Sequence, residues 1–430
     1  MTLENNLVLY LFPFSLLPRR LRQTAAFGLA CLAASVLAQP AVLTPAPTLK
    51  QALDAAWQIS SQSRSLDNRR SELAAKEKAA SSWISGEPAA GIAHRTDRLN
   101  KNEGFREYEA ELELPLWNPG MRNAAQADVA AQRTDFDGQF QLAKLKLAGE
   151  LRTLSANIAN AQADLDLNQR KLLDATALSQ DLNRRVKVGE NARVDGLQAQ
   201  LLVQQAQAAM AQAQSQLTRL QNQWRSLTGM ASIAPPDERL AGQIGDETLA
   251  APVSAEHPAL RYAQAQLGSA QARLALANAD KRDPMALGLG VGHERSTFVA
   301  AGETKLRIGL RIPLGGDNRN APKRAAARAE LDTAQAELDA LQRQLPNEIT
   351  ATTAELRAAR TAQTAARERA RLSTEVQTLI TKSWRLGESD LPSRLRADNE
   401  QFEASLSLAR ASIDVQRAIA NLNQAHGILP

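Results

Sequence analysis

Few side chains in this sequence are placed to do covalent chemistry. The four histidines, His94, His257, His293 and His426, lie far apart, and the one cysteine is Cys31. That leaves no thiol–imidazole pair and no metal-ligand spacing. Nor is there a phosphate loop, a nucleophile elbow or a pair of catalytic acids at helical spacing, so the sequence reads as a non-enzyme with no cofactor and no metal site. The loaded stretch is REYEAELELPL, residues 106–116, where Glu107, Glu109, Glu111 and Glu113 occupy every second position and Tyr108, Ala110, Leu112 and Leu114 stand between them. Four acids so regularly spaced do not make an active site. They make one charged face and one apolar face, the period of a β-strand between two different solvents. A soluble sheet would turn the apolar side to a core; a membrane barrel would turn it to lipid, with the acids in the lumen.

Three more stretches read as strands. TKLRIGLRIPL repeats the alternation with the charge reversed: Lys305, Arg307 and Arg311 on one side, Leu306, Ile308, Leu310 and Ile312 on the other. MALGLGVGHER sets Leu287, Leu289 and Val291 against Ala286, Gly288, Gly290 and Gly292, and AGIAHRT is shorter. The expected strands cover about 89–95, 104–114, 285–295 and 302–312, three of them near the 9 to 11 residues that cross a bilayer.

The elements that must carry these strands follow from the rest of the 430 residues. A 44% hydrophobic content with only 4% aromatics suits long, closely packed helices rather than large mixed cores. The formal charge of +5 is spread along the chain, a helix-surface pattern that speaks against nucleic-acid binding. Residues 1–38 read as an export signal: Arg19, Arg20 and Arg22 precede TAAFGLACLAASVLA, and Val36 and Ala38 favour cleavage before Gln39. An N-terminal over-extension is compatible with the second apolar stretch, LVLYLFPFSLL. Cys31 is a poor lipid anchor, because Gly28 replaces the usual large aliphatic and the apolar run continues beyond the cysteine. Past Leu43 no stretch approaches the ~20 apolar residues of a membrane helix, so any membrane crossing must use strands.

The chain is a tandem duplication. Pro115 and Leu116 recur as Pro313 and Leu314, Gly189 as Gly387, and Gly229 as Gly427, all at one offset of 198 residues. The first repeat spans 39–228, an inter-repeat segment rich in Gly, Pro and Ala spans 229–257, and the second repeat spans 258–430. Each follows one order: helix, two strands, a very long helix, a tight turn, a returning helix. The first helical pattern runs from about Leu49 to Trp83. From Arg122 to about Val186 there is no proline, which predicts a helix of roughly 65 residues, about 100 Å long. Leu147, Leu151, Leu154, Ile158, Ala161 and Leu165 form its packing seam, repeated by Leu345, Ile349, Leu356 and Ala359, with Thr352 as the polar departure. Pro346 is expected to kink or weaken the second long helix. Helices of half its length should stack end to end beside each long one. Four strands cannot close a barrel around a pore, so several chains must share one, and Trp117 suits an interfacial aromatic belt.

Duplicated helix-strand-strand-helix units, the strand exits PLWNPGMRNAA and PLGGDNRNAP, and the paired VGE and LGE turns resemble the TolC-type outer-membrane efflux factors over essentially the whole mature chain. The fold class this implies is mainly α with a small membrane β-barrel: a trimeric 12-stranded barrel continued by a long periplasmic α-helical barrel. The function implied is a passive exit duct of a tripartite efflux system, in the bacterial outer membrane with a large periplasmic portion. Implied partners are two further copies, outer-membrane lipid, a periplasmic adaptor (membrane fusion protein) and an inner-membrane pump of the resistance-nodulation-division (RND) type. RDPMALGLGVGHERS and RIPLGGDNRNAPKRAAARAELD look most like members paired with heavy-metal cation exporters; a drug duct and an exported coiled-coil scaffold are the alternatives. Lumen candidates are Glu107, Glu109, Glu111, Glu113, Lys305, Arg307 and Arg311. The family's hairpin tips meet the adaptor, and the matching positions here are Arg185, Val186, Gly189, Leu197, Trp384, Gly387 and Leu395. Its inner constriction points to Asp195, Asp390, Asp398, Arg184 and Arg385.

Overall fold

The computed structural model describes residues 46–241 and 253–430. The expected export signal, with Cys31, and residues 242–252 of the inter-repeat segment lie outside the described residues. Among the described residues, no helix is long and apolar enough to cross a membrane.

The chain begins with α1 (Leu49–Ile59) and α2 (Ser61–Ser81), then the hairpin β1 (Ala89–Thr96) and β2 (Arg106–Leu116). The 67-residue α3 (Met121–Lys187) and the returning α4 (Arg193–Thr228) complete the first repeat. The second repeat supplies α5 (Pro258–Ala279), β3 (Met285–Arg295), β4 (Glu303–Arg311), the 69-residue α6 (Asp317–Arg385) and α7 (Leu391–Ala425). All four strands fall where the period-two pattern places them, with ends shifted by at most two residues, α3 covers the proline-free run, and α6 is its counterpart in the second repeat.

One expectation is corrected. The pattern from Leu49 to Trp83 is two helices, because Ser60 is extended (φ −64°, ψ 148°): its hydroxyl donates to the Trp57 carbonyl (2.8 Å) and accepts from the Ser63 N–H (3.1 Å). One serine closes α1 and caps α2. The helix α6 runs through Pro346 to Arg385.

The expected seam is the core. Leu147, Leu151, Leu154, Ile158, Ala161 and Leu165 are all buried, packed with Leu53, Trp57, Leu217 and Trp224 from α1 and α4. In the second repeat Leu345, Ile349 and Leu356 are buried, and Ala359 packs beside Leu356. Gly229 (φ +70°) ends α4 close to Ile59 of α1, and Gly427 (φ +75°), its repeat equivalent, lies against His257 and Pro258 at the start of α5. These are the end-to-end junctions of the half-length helices. The left-handed backbone needs glycine at both, and at Gly427 a Cβ would come within 2.6 Å of Pro258.

The segment after α4 is pinned to the middle of α3 by polar groups. Ser155 donates to the Ala234 carbonyl (2.6 Å), and the Trp224 indole to the Ser232 carbonyl (3.0 Å). Arg152, 3% exposed, holds Glu238 through two hydrogen bonds (2.9 and 3.0 Å), and also donates to Gln424 (2.6 Å) and the Ile428 carbonyl (3.0 Å). One guanidinium thus joins the first long helix, the inter-repeat segment and the C-terminal end of α7.

Candidate functional site

The four strands form one antiparallel sheet in the order β1-β2-β3-β4. Its register settles which side chains share a face. Glu107, Glu109, Glu111 and Glu113 lie beside Arg95 and Ala93 of β1 and beside Glu294, Gly292, Gly290 and Gly288 of β3. Those glycines lie in turn beside Lys305, Arg307 and Gly309 of β4. All seven lumen candidates therefore stand on one face, the opposite one from Leu112, Leu289, Val291 and Ile308.

On that face β3 is a bare trough. With hydrogen for side chains, Gly288, Gly290 and Gly292 let the β4 cations reach across a whole strand, so Arg307 pairs with Glu109 and Arg311 with Glu113. Both pairs join positions 198 residues apart: the charge reversal between repeats is complementary, and equivalent residues bind each other. Arg95 pairs with Glu107 at 3.3 Å and Lys305 with Glu294 at 2.9 Å. Glu111 instead lies flat over β3, where a Cβ at Gly288 would be 3.2 Å from its carboxylate. The face carries six carboxylates, including Glu294 and Glu303, against four cations, a net −2 per chain. Arg95, Glu294 and Glu303 were missed in the sequence, although the same parity that marked the glutamates would have found them.

The opposite face is apolar and open. Ile92 is 90% exposed, Leu306 76% and Ile308 69%. Towards the hairpin loops it ends in a row across all four strands, His94, Tyr108, His293 and Thr304. The His94 ring stacks on Tyr108 at 4.4 Å, and His293 bonds Thr304 at 3.1 Å. Towards the helices stand Trp83, 64% exposed, and Trp117, which donates to the Ser82 carbonyl at 2.8 Å. From Tyr108 to Leu116 is about 27 Å of strand, or roughly 20 Å of height at barrel tilt, close to a bilayer's apolar band.

The second set of candidates gathers at the far end of the helices. Gly189 (φ +82°) and Gly387 (φ +78°) turn α3 into α4 and α6 into α7, and at either one a Cβ would meet nothing within 4 Å. Leu197 is half exposed, and Trp384 is buried with Leu178, Leu182, Ala199, Leu391 and Leu395. The Trp384 ring is held between two guanidiniums, Arg185 at 4.5 Å and Arg394 at 4.1 Å. Val186 is its equivalent in the first repeat, and there Gly196 replaces Arg394, where a Cβ would stand 3.3 Å from the Asn183 side-chain oxygen and 3.6 Å from Val186. Both members of the contact change size together. Because the two tip glycines have open space around them, Gly387→Val tests backbone conformation alone. The expected result is a local loss of about 1–2 kcal/mol, read as faster proteolysis at the α6–α7 turn with the sheet intact; a cleavage rate equal to wild type would refute it.

Beside Trp384 a groove of about 680 Å³ runs between the two hairpins. Arg184, Arg385 and Asp398 line it, with Asp174, Asp181 and Arg394, which the sequence did not single out because no spacing joins positions on three helices. Asp195 and Asp390 lie elsewhere: Asp195 accepts from Asn191 (3.2 Å), and Asp390 caps α7 through the Ser393 N–H (3.0 Å). Hydrogen bonds from the Ser393 hydroxyl and N–H hold Asp390 below the usual carboxylate range. In the groove Arg184 and Arg185 both face Asp181 (3.6 and 3.1 Å), and Asp398 takes the Gln377 amide (2.8 Å) 3.6 Å from Arg394. Burial, then the charge of Asp398, pushes Asp174 up, and burial pushes Arg394 down.

No family model matches the sequence, and no curated protein does. Solved structures do match. The outer membrane protein VceC of Vibrio cholerae superposes with a TM-score of 0.71 at 15% identity, over 88% of this chain and 96% of that one. CusC, solved for its folding and transmembrane channel formation, gives 0.69 at 14%, over 89% and 92%. The open state of the MtrE outer membrane channel of Neisseria gonorrhoeae gives 0.67 at 17%, over 89% of each. The chain has the fold of these channels.

Proposed function

We propose that this chain, built on the fold of the outer-membrane channels, is the exit duct of an efflux system. Three copies close a twelve-stranded barrel in the outer membrane, and the long helices continue it through the periplasm. The observation that carries this reading is the sheet: its outer edges on β1 and β4 are unpaired among the described residues, one face is charged and the other apolar. Open edges in lipid leave amides and carbonyls without partners, and three copies joined β4 to β1 remove every edge. The charged faces then line a wet lumen, and Leu112, Leu289 and Ile308 meet lipid.

The helix tips are the site for a periplasmic adaptor, with Gly189, Gly387 and the exposed Leu197 at the surface and Trp384 setting the turn from within. The groove of Arg184, Arg385 and Asp398 is the natural constriction. Energy and cargo choice belong to an inner-membrane pump. A heavy-metal cation is the cargo that the strand-flanking stretches and the net negative sheet favour.

The test is the mass of the detergent-purified mature protein together with its conductance in a planar bilayer. A trimer giving discrete current steps is expected. A water-soluble, non-conducting rod would overturn the reading in favour of a periplasmic scaffold.

A further inference from the structure

One step beyond the His94–Tyr108–His293–Thr304 row, on the same apolar face, β2 and β3 place Arg106 directly opposite Arg295. Like charges facing across a ladder repel, and their Cβ atoms stand only about 4.5–5.5 Å apart. Everywhere else in the sheet the cations are neutralised: Arg95, Lys305, Arg307 and Arg311 all have a carboxylate. Arg106 and Arg295 have no ion-pair partner among the described residues. Arg295 has only the Phe298 ring at 5.9 Å, and its Nε is buried without a hydrogen bond. Closure of a barrel does not supply acids, because β2 and β3 are the two interior strands, flanked by β1 and β4 of the same chain.

We propose that this pair binds the phosphate of a lipid headgroup in the outward leaflet. The inference rests on the channel reading, which puts this face against lipid. Three features select a lipid over a free anion. The pair lies about 7 Å along the strands beyond the belt that ends the apolar band, the depth of a headgroup phosphate. Two facing guanidiniums offer the planar, forked donors that grip a phosphate, and an anion between them removes their repulsion. The adjoining hairpin loops, packed on each other through the Phe298 N–H and the Glu103 carbonyl (3.1 Å), expose Leu99 (98%) and Val299 (96%), and set the Phe298 ring 5.9 Å from Arg295. Apolar loop tips beside paired cations suit an amphiphile, whose acyl chains lie along Ile92, Leu306 and Ile308.

The experiment is native mass spectrometry of the detergent-purified full chain with three probes: lipid A bearing both phosphates, the same lipid dephosphorylated, and inorganic phosphate. The phosphorylated lipid is expected to stay bound. Dephosphorylation, or the double change Arg106→Gln with Arg295→Gln, should weaken binding by at least about tenfold while mass and conductance stay as in wild type. Equal binding by the double variant or by the dephosphorylated lipid in a conducting trimer overturns this inference and leaves the channel reading standing. Displacement of the lipid by millimolar inorganic phosphate would mean a free-anion site and also overturns it. Failure of the wild type to form a conducting trimer overturns both.

Discussion

Changing Glu107, Glu109, Glu111 and Glu113 together to glutamine is expected to turn the proposed duct from cation-preferring to anion-preferring. The charged face carries six carboxylates and four cations; removing four acids takes the wall from −2 to +2 per chain. The substitution also unpairs Arg95, Arg307 and Arg311, whose guanidiniums then face the lumen uncompensated. Exposed pairs of this kind are worth about 0.2–1 kcal/mol each, so the barrel should still assemble. The reversal potential across a potassium chloride gradient reads the change directly: its sign should flip, and Glu111→Gln alone should move it part of the way. An unchanged reversal potential in the fourfold variant would place these glutamates outside the lumen.

The largest stability effect is expected from Arg152→Met. Glu238, with only 11% of its side chain exposed, would keep its burial and lose its cation, a situation that costs about 3–5 kcal/mol. Gln424 and the Ile428 carbonyl lose a donor as well. The melting temperature should fall by several degrees, and the segment around Glu238 should become sensitive to protease. Pairing the change with Glu238→Gln should recover most of the loss, because the pair then disappears rather than being halved. A melting temperature equal to wild type in the single variant would show that the segment is held by Ser155 and Trp224 instead.

What could be read from the sequence was whatever repeats. Period two located all four strands, the 198-residue offset located both tip glycines and both junction glycines, and the seam from Leu147 to Leu165 named the core of the first repeat before any contact was known. Single residues acting against their background were invisible. Ser60 resembles any polar helix surface residue until its backbone is seen to be extended. Arg152 is one arginine in a helix with several, and it is buried where Glu238, Gln424 and Ile428 meet it from distant parts of the chain. The two charge-reversed strands were legible, but not their pairing: Glu109 and Arg307 meet only because the strand between them is glycine on that side. Asp174, Arg394 and Trp384 converge from three helices, an arrangement that no local spacing encodes.

The glycine trough of β3 bears on how fast a duct can work. Because β4 lays its guanidiniums flat across the trough, the charges hug the wall as a zwitterionic veneer instead of projecting inward as arms. Such a veneer is heavily hydrated, yet the fields of its opposed charges largely cancel a short distance out, so a passing solute meets no deep well in which to lodge. Conduction needs binding weak enough to release. In the proposed duct, a lining of this kind would resist fouling by the cargo, and the bore would stay as wide as the backbone allows.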